Sequence, residues 1–168
     1  MDWAKFQGDA WNSGLRKNAV QYGSYALSGF QGTWYPVPPL EMDLKWKGRV
    51  GFVSSEDCPV MTGEAVFVGS CGDEVDGSDL SDGLYALDPV TGDVLWHFRT
   101  DDDTKGCALG DVDGDGNLEL MVGSWDGSVR CLDLLGREKW RFETDGRVSS
   151  SPAIGDLDGD GGVEIVFG

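Results

Sequence analysis

Acidic residues recur at alternate positions in one short stretch of the sequence, 111–119, which reads D-V-D-G-D-G-N-L-E. Carboxylates stand at positions 1, 3, 5 and 9 of this stretch, and an amide stands at position 7. The glycines at positions 4 and 6 give a tight loop the backbone freedom to turn these oxygens toward one hard cation. Ca²⁺ is the expected ion, because it accepts about six to eight oxygen ligands in flexible geometry. The predicted ligands are Asp111, Asp113, Asp115, Asn117 and Glu119.

The same pattern returns 45 residues later as D-L-D-G-D-G-G-V-E. The predicted ligands of this second copy are Asp156, Asp158, Asp160, Gly162 and Glu164. The alternative, a solvated acidic turn without an ion, is disfavoured because so many carboxylates repel one another unless a cation lies among them. An EF-hand would need a carboxylate at position 12, where the two copies have Val122 and Phe167. We therefore expect two Ca²⁺ sites that are not EF-hands.

The residues around these loops predict an all-β fold. The 26 glycines are scattered between short apolar runs, and no window repeats apolar residues at helical spacing. One unit contains a strand at 107–110, the acidic loop, and further strands at 118–124, 128–133 and 138–144. Four antiparallel strands that repeat at about 45 residues are typical of a β-propeller blade. The acidic loop is then the hairpin between the first two strands of a blade.

This unit organises most of the chain. We predict an N-terminal extension and connection at 1–43 and propeller blades at 44–168. The blade region consists of an outer strand at 44–55, two blades at 58–100 and 106–144, and the start of a further blade at 148–168. A closed propeller has about four to eight blades, so we expect an incomplete N-terminal arc whose remaining blades are missing. Trp46 would lie on a strand that completes the final blade. The isolated chain, whose last strand is unpaired, should self-associate or be partly disordered.

Two repeat families resemble these blades. The stretch 86–96, A-L-D-P-V-T-G-D-V-L-W, looks like the tryptophan-docking repeat of quinoprotein-type (PQQ-type) propellers, and Asp133, Gly136 and Trp140 match it in the second blade. The opening W-A-K-F-Q-G-D-A-W-N-S-G is similar to that of many proteins with such repeats. The acidic loops resemble the FG-GAP repeats of integrin-type propellers; the second has A-I-G before it and I-V-F-G after, and the first has A-L-G and L-M-V-G in the same places. Both resemblances imply a β-propeller, and the second implies calcium in the loops.

Composition argues against several classes of function. The net charge of −17 disfavours a nucleic-acid partner, because phosphate binding requires clustered Lys and Arg. No run of about 18 apolar residues occurs, so we expect no membrane insertion. The residues 1–6 lack the apolar core of a signal peptide. His97, the one histidine, removes most general-base schemes and is expected to be an exposed surface residue. The sequence therefore predicts a protein that is not an enzyme.

The four cysteines do not form a zinc or redox motif. Cys58, Cys71, Cys107 and Cys131 show no C-x-x-C spacing. Each lies in or beside an apolar run, so we expect small buried hydrophobic residues. One or two disulfides stay open as the alternative for an extracellular protein.

Three functions remain from the sequence. The first is a calcium-stabilised propeller module that binds a protein or glycan ligand in adhesion, in an extracytoplasmic location where Ca²⁺ is plentiful. The second is a fragment of a PQQ-dependent dehydrogenase, disfavoured because the chain is short and has no adjacent Cys-Cys pair. The third is a scaffold in an envelope assembly complex.

Overall fold

The structure is a computed structural model that describes residues 44–54, 57–73 and 78–168. Its compact unit is Lys45–Gly168. The described residues form ten β-strands and no helix, so none of these residues forms a helix that could span a membrane. The all-β prediction is confirmed. The predicted extension at 1–43 lies outside the described residues.

Three antiparallel sheets follow one another along the chain. The first contains β1 (Val60–Met61), β2 (Val66–Cys71), β3 (Asp82–Leu87) and β4 (Val94–Arg99). The second contains β5 (Thr104–Gly110), β6 (Glu119–Ser124), β7 (Ser128–Asp133) and β8 (Glu138–Glu143). The third contains β9 (Ala153–Gly155) and β10 (Glu164–Val166). Strands of the four-stranded sheets pair in chain order, so two complete blades and two strands of another form an incomplete propeller-like arc, as predicted.

The two complete blades repeat each other in register as well as in topology. Trp96 of β4 pairs with Ala86, and Trp140 of β8 pairs with Cys131. In each blade the register shifts at the next residue of the third strand, Leu87 or Leu132. The shared irregularity places the two tryptophans at equivalent positions of their blades.

The second sheet packs with one face on the first sheet and with the other on the third. Successive side chains of a strand point to opposite faces. In β6, Leu120 and Val122 therefore pack with Phe67 of the first sheet, whereas Met121 packs with Val148 near the third. All five side chains are almost completely buried. Because both faces are covered, three consecutive positions of β6, Leu120, Met121 and Val122, are apolar.

A tryptophan joins each blade to the segment before it. The indole N–H of Trp96 in the first blade donates to Leu134 O of the second blade at 3.1 Å. Its ring lies against Gly136, where an added Cβ would come within 2.9 Å of it. Trp46 makes the same contact with the first blade, donating to Pro89 O at 3.0 Å and covering Gly92. Because both glycines have positive φ, 78° and 77°, a side chain there would be strained as well as in collision.

The structure corrects two expectations about single elements. Within the described part of the predicted outer strand, 44–54, no strand forms. Phe52 nevertheless forms two backbone hydrogen bonds with residues at the C-terminal end of β2. It donates to Gly72 O and accepts from Cys71 N. His97 is half-buried instead of exposed, because it stacks on Tyr85 with ring centroids 4.0 Å apart and bonds to Asp82 O at 2.9 Å. The blade boundaries remain predictions.

The cysteines are free thiols. Cys71, Cys107 and Cys131 are buried and Cys58 is half-buried. Cys107 and Cys131 lie among the apolar side chains of the core, as the sequence predicts. Burial raises the pKa of the Cys131 thiol to about 11, so this residue is a packing group at neutral pH.

Candidate metal centres

The two acidic segments are hairpin loops at equivalent places in successive blades. Loop 1 (111–119) connects β5 to β6, and loop 2 (156–164) connects β9 to β10. The final glutamate of each loop, Glu119 or Glu164, is the first residue of the following strand. This placement fixes one carboxylate on the sheet while the aspartates lie on the turn.

Loop 1 is organised by backbone N–H groups that donate to its own carboxylates. Asp111 accepts from Gly114 N at 2.7 Å and from Gly116 N at 2.9 Å, one bond on each carboxyl oxygen. Glu119 accepts from Val112 N at 3.0 Å. Both glycines have positive φ, 74° and 86°. This conformation turns their N–H groups toward the carboxylates, and glycine adopts it without the steric strain that a Cβ would cause.

Loop 2 repeats this arrangement. Asp156 accepts from Gly159 N at 2.7 Å and from Gly161 N at 3.0 Å, and Glu164 accepts from Leu157 N at 2.7 Å. The glycine φ angles are 79° and 90°. The hydrogen-bond pattern is therefore a property of the nine-residue sequence, since it is the same in two different surroundings.

Each loop brings three carboxylates to one point. Oxygens of Asp111, Asp113 and Asp115 lie within 4.8 Å of one another in loop 1. In loop 2 the group consists of Asp156, Asp158 and Glu164 at the same separation. Two oxygens bound to one Ca²⁺ at about 2.3–2.6 Å can be no farther apart than about 5 Å. The donor set and spacing in both loops therefore fit Ca²⁺.

The other predicted ligands stand at the margin of these groups. Asp115 Oδ1 accepts from the backbone and side-chain nitrogens of Asn117 at 2.8 and 2.9 Å. In loop 2, Asp160 Oδ1 accepts from Gly162 N at 2.7 Å. Glu119 lies outside the group of loop 1 and Asp160 outside that of loop 2. The residue at position 7 of each loop, Asn117 or Gly162, thus orients the aspartate at position 5.

Sequence reasoning missed Lys139, which reaches loop 1 from β8. Its Nζ lies 2.6 Å from Asp113 Oδ2 and 2.9 Å from Glu119 Oε1. The hydrogen bond from Lys139 lowers the pKa of Asp113, and the two bonds together raise the pKa of Lys139 above its ordinary value. The ammonium group is therefore a built-in positive charge at this loop. The blade pattern alone could have placed Lys139 near the loop, since β8 is two strands away from β6.

A second cluster that the sequence did not indicate lies between the first two blades. Lys105 is only 4% exposed, and its Nζ donates to Asp103 Oδ2 at 3.0 Å and to Cys71 Sγ at 3.1 Å. It also lies 4.1 Å from the centroid of Trp125. Although burial acts to lower it, the hydrogen bonds raise the pKa of Lys105. Trp125 also lies 4.3 Å from the Arg147 guanidinium, so it packs between two cations.

An open cleft of about 370 Å³ adjoins loop 1. Asp115 and Asn117 of the loop form one side, and Arg137 and Lys139 lie on another. Arg137 is exposed and pairs with Asp133 at 2.7 Å. The cleft therefore presents amide, carboxylate and cationic groups beside the candidate ion site.

Comparisons with known proteins support the repeat and the fold. Residues 111–167, which include both loops, match the family model of the FG-GAP-like repeat. The chain is similar in structure to the V. cholerae biofilm matrix protein Bap1, with a TM-score of 0.53 and 22% sequence identity over 74% of this chain. It spans 25% of the length of that protein. No curated protein matches the sequence. The quinoprotein-type resemblance finds no support in these comparisons.

Proposed function

We propose that this chain is a calcium-stabilised β-propeller repeat module that binds a protein or glycan ligand in adhesion and has no catalytic role. The observation that carries the proposal is the duplicated loop, which has the same hydrogen bonds and a group of three carboxylates in both copies. Like charges held this close favour a bound cation.

Calcium would be held by three carboxylates in each loop. Asp111, Asp113 and Asp115 would bind it in loop 1, and Asp156, Asp158 and Glu164 in loop 2. The ion supplies positive charge that removes the repulsion among the carboxylates. Because each loop connects the first two strands of a blade, the bound ion would stiffen that hairpin, which indicates a structural role.

An extracytoplasmic location suits sites of this kind. The loops are largely exposed, and exposed extracellular calcium modules function with dissociation constants of about 10⁻⁴–10⁻³ M. The fold similarity to a biofilm matrix protein favours adhesion or matrix binding as the role. The cleft beside loop 1 is the surface we assign to the ligand, since its mixed polar groups suit sugar hydroxyls or polar side chains.

The surroundings of the histidine support a role without catalysis. His97 stacks on Tyr85, and its Nε2 lies 2.9 Å from Asp82 O. One ring nitrogen and one ring face are therefore engaged in packing. These contacts are those of a side chain that packs the first sheet.

Calcium binding is tested by thermal melting and isothermal titration calorimetry. At a Ca²⁺ concentration about ten times Kd, each site should stabilise the chain by about 1.4 kcal/mol relative to excess EDTA. Asp158→Asn, which preserves the size of an exposed loop residue, should reduce the stoichiometry from about two ions to about one. Asp145→Asn, an exposed acid outside both loops, is the matched control. Equal melting temperatures in Ca²⁺ and in EDTA would contradict the proposal.

The ligand surface is tested separately on a glycan array and on immobilised extracellular matrix proteins. Binding should require Ca²⁺ and should fall at least about fivefold with Arg137→Ala, because Arg137 lines the cleft beside loop 1. Arg99→Ala, an exposed arginine of the first blade, is the control. Binding that depends on neither Ca²⁺ nor Arg137 would remove the cleft from the proposal.

A further inference from the structure

A row of basic side chains lies on the outer side of the segment 45–49, which precedes the first sheet. Lys45, Lys47 and Arg49 occupy alternate positions of this segment, and all three are exposed. Neither the candidate calcium sites nor the cleft beside loop 1 includes any of them. The row is therefore a separate, local concentration of positive charge in a chain whose net charge is −17.

The contacts of the intervening residues show why the cations face outward. Trp46 donates its indole N–H to Pro89 O of the first blade at 3.0 Å. Gly48 lies so close to the same blade that an added Cβ would meet the Leu87 side chain at 3.0 Å. Val50 is 8% exposed and also packs with Leu87. Positions 46, 48 and 50 thus face the blade, and in such an alternation the residues between them point the opposite way.

The three cations of the row have no opposite charge beside them in the part of the chain that the structure describes, where none of them forms a salt bridge. Most other Lys and Arg side chains of this part do form one, such as Lys105 with Asp103 at 3.0 Å and Arg137 with Asp133 at 2.7 Å. In an alternating segment, successive charges of the row stand about 7 Å apart along the backbone, which is less than the Debye length of about 8 Å in physiological salt. One anionic chain can therefore interact with all three cations at once.

The shape and surroundings of the row favour a thin, linear anion. The row is one residue wide and about 13 Å long, and the chain as a whole is strongly acidic. A membrane surface or a nucleic-acid duplex would bring negative charge against the acidic protein, whereas a thin polymer can lie along the row alone. Two copies of this chain, each with a net charge of −17, would also repel each other. An acidic polysaccharide meets these constraints, because its charges are spaced along a single chain.

We propose that Lys45, Lys47 and Arg49 bind an acidic polysaccharide through its carboxylate or sulfate groups. The ammonium and guanidinium groups pair with successive anionic groups of the sugar chain. Trp46 and Val50 hold the segment on the first blade, so the three charges stay in one row. This surface shares no residue with the cleft beside loop 1 and does not require calcium, so it stands or falls independently of the proposed calcium sites.

The test measures binding of the full chain to three polymers by isothermal titration calorimetry in excess EDTA. The probes are polygalacturonate, which carries carboxylates, dextran sulfate, which carries sulfates, and uncharged dextran. We expect binding to at least one of the two anionic polymers and none to dextran. Raising the salt concentration from about 20 mM to about 200 mM should weaken binding at least about fivefold, because exposed charges are screened. The EDTA keeps both acidic loops without calcium, so a failure of calcium binding would not change these results.

Variants of the row separate a specific surface from a general effect of charge. Lys45→Gln combined with Lys47→Gln should weaken binding about three- to tenfold, because two exposed ion pairs are lost. Lys45→Arg combined with Lys47→Arg keeps both charges and should retain most of the affinity. Arg99→Gln combined with Arg141→Gln removes the same charge from exposed positions of β4 and β8 and is the matched control. All four side chains are exposed, and circular dichroism checks that each variant is folded.

Three results would overturn the inference. In the first, neither anionic polymer binds. In the second, the control pair of substitutions weakens binding as much as the pair in the row, so that binding follows net charge alone. In the third, a single-stranded DNA oligonucleotide, or vesicles of phosphatidylcholine and phosphatidylserine, bind through the row at least as tightly as either polysaccharide. That outcome would assign the row to nucleic acid or to a membrane surface.

Discussion

Loops 1 and 2 have nearly the same sequence and hydrogen bonds but different electrostatic surroundings. In loop 1, Glu119 is 1% exposed and pairs with Lys139, which also pairs with Asp113. In loop 2 the matching Glu164 is half-buried, belongs to the carboxylate group, and has no cation beside it among the described residues. Loop 1 thus carries part of its own neutralising charge, whereas loop 2 depends more on an ion from solution.

The comparison distinguishes two roles of the carboxylates in an acidic loop. Carboxylates that accept backbone N–H groups shape the turn, and they do so equally in both loops. Each loop also groups three carboxylates, and a salt bridge from a neighbouring strand, present in loop 1 as Lys139–Asp113, reduces the negative charge left for a cation. If both loops bind Ca²⁺ as proposed, we expect loop 2 to bind it more tightly than loop 1.

The largest effect is expected from removing the buried glutamate of loop 1. Glu119→Ala leaves the Val112 N–H without its acceptor and the Lys139 ammonium with Asp113 alone, and should lower the free energy of unfolding by about 1–3 kcal/mol. Glu164→Ala, its counterpart in loop 2, should cost less than about 1 kcal/mol because water can replace the lost partner. Urea denaturation in EDTA measures both. Equal losses would show that the two loops do not differ in this way.

Asp57 is a second buried carboxylate, and neighbouring groups stabilise its negative charge less well than they stabilise that of Glu119. Burial, offset only in part by the nearby Ser54 backbone and by the positive charge of Lys105, raises the pKa of Asp57 to about 7. The folded protein therefore holds this proton more tightly than the unfolded chain, and this carboxyl makes stability fall as pH rises from about 4 toward 7. Asp57→Asn should remove that fall.

Relative to the wild type, Asp57→Asn should gain up to about 2 kcal/mol between about pH 5 and about pH 7. Urea denaturation at a series of pH values measures the gain, with Asp145→Asn as an exposed control. A stability difference that is constant with pH would show that Asp57 has an ordinary pKa.

The smallest effect concerns the lysine itself. Lys139→Met removes a positive charge beside loop 1 and should increase its Ca²⁺ affinity about three- to tenfold at low salt, and less at high salt. Asp158→Asn provides a background in which only loop 1 binds, so that titration calorimetry reports this site alone. Lys139→Arg keeps the charge and should leave the affinity nearly unchanged. If Lys139→Met weakens binding instead, Lys139 helps to shape the site and does not compete with the ion.

Much of the fold could be predicted because its signals are local and repeated. Glycine and aspartate positions specify the loops, and Trp96 with Trp140 marks the outer strands of successive blades. The sequence predicted a strand at 44–55, but none forms in the described part, 44–54, because short apolar runs resemble strands whether or not a neighbouring strand pairs with them. It also misjudged His97, since its partner Tyr85 lies on the adjacent strand.

The sequence by itself determined the turn geometry and the internal hydrogen bonds of the two loops, because every donor and acceptor lies within nine residues. Only the tertiary structure decided which carboxylates remain available for an ion. Lys139 is 20 residues from Glu119 in the chain and meets it because β8 and β6 flank β7 in one sheet. The contact of Trp96 is likewise tertiary, since its indole meets the turn of the following blade at Leu134 and Gly136. Local spacing sets the shape of a site, and the packing of distant strands sets its charge and its partners.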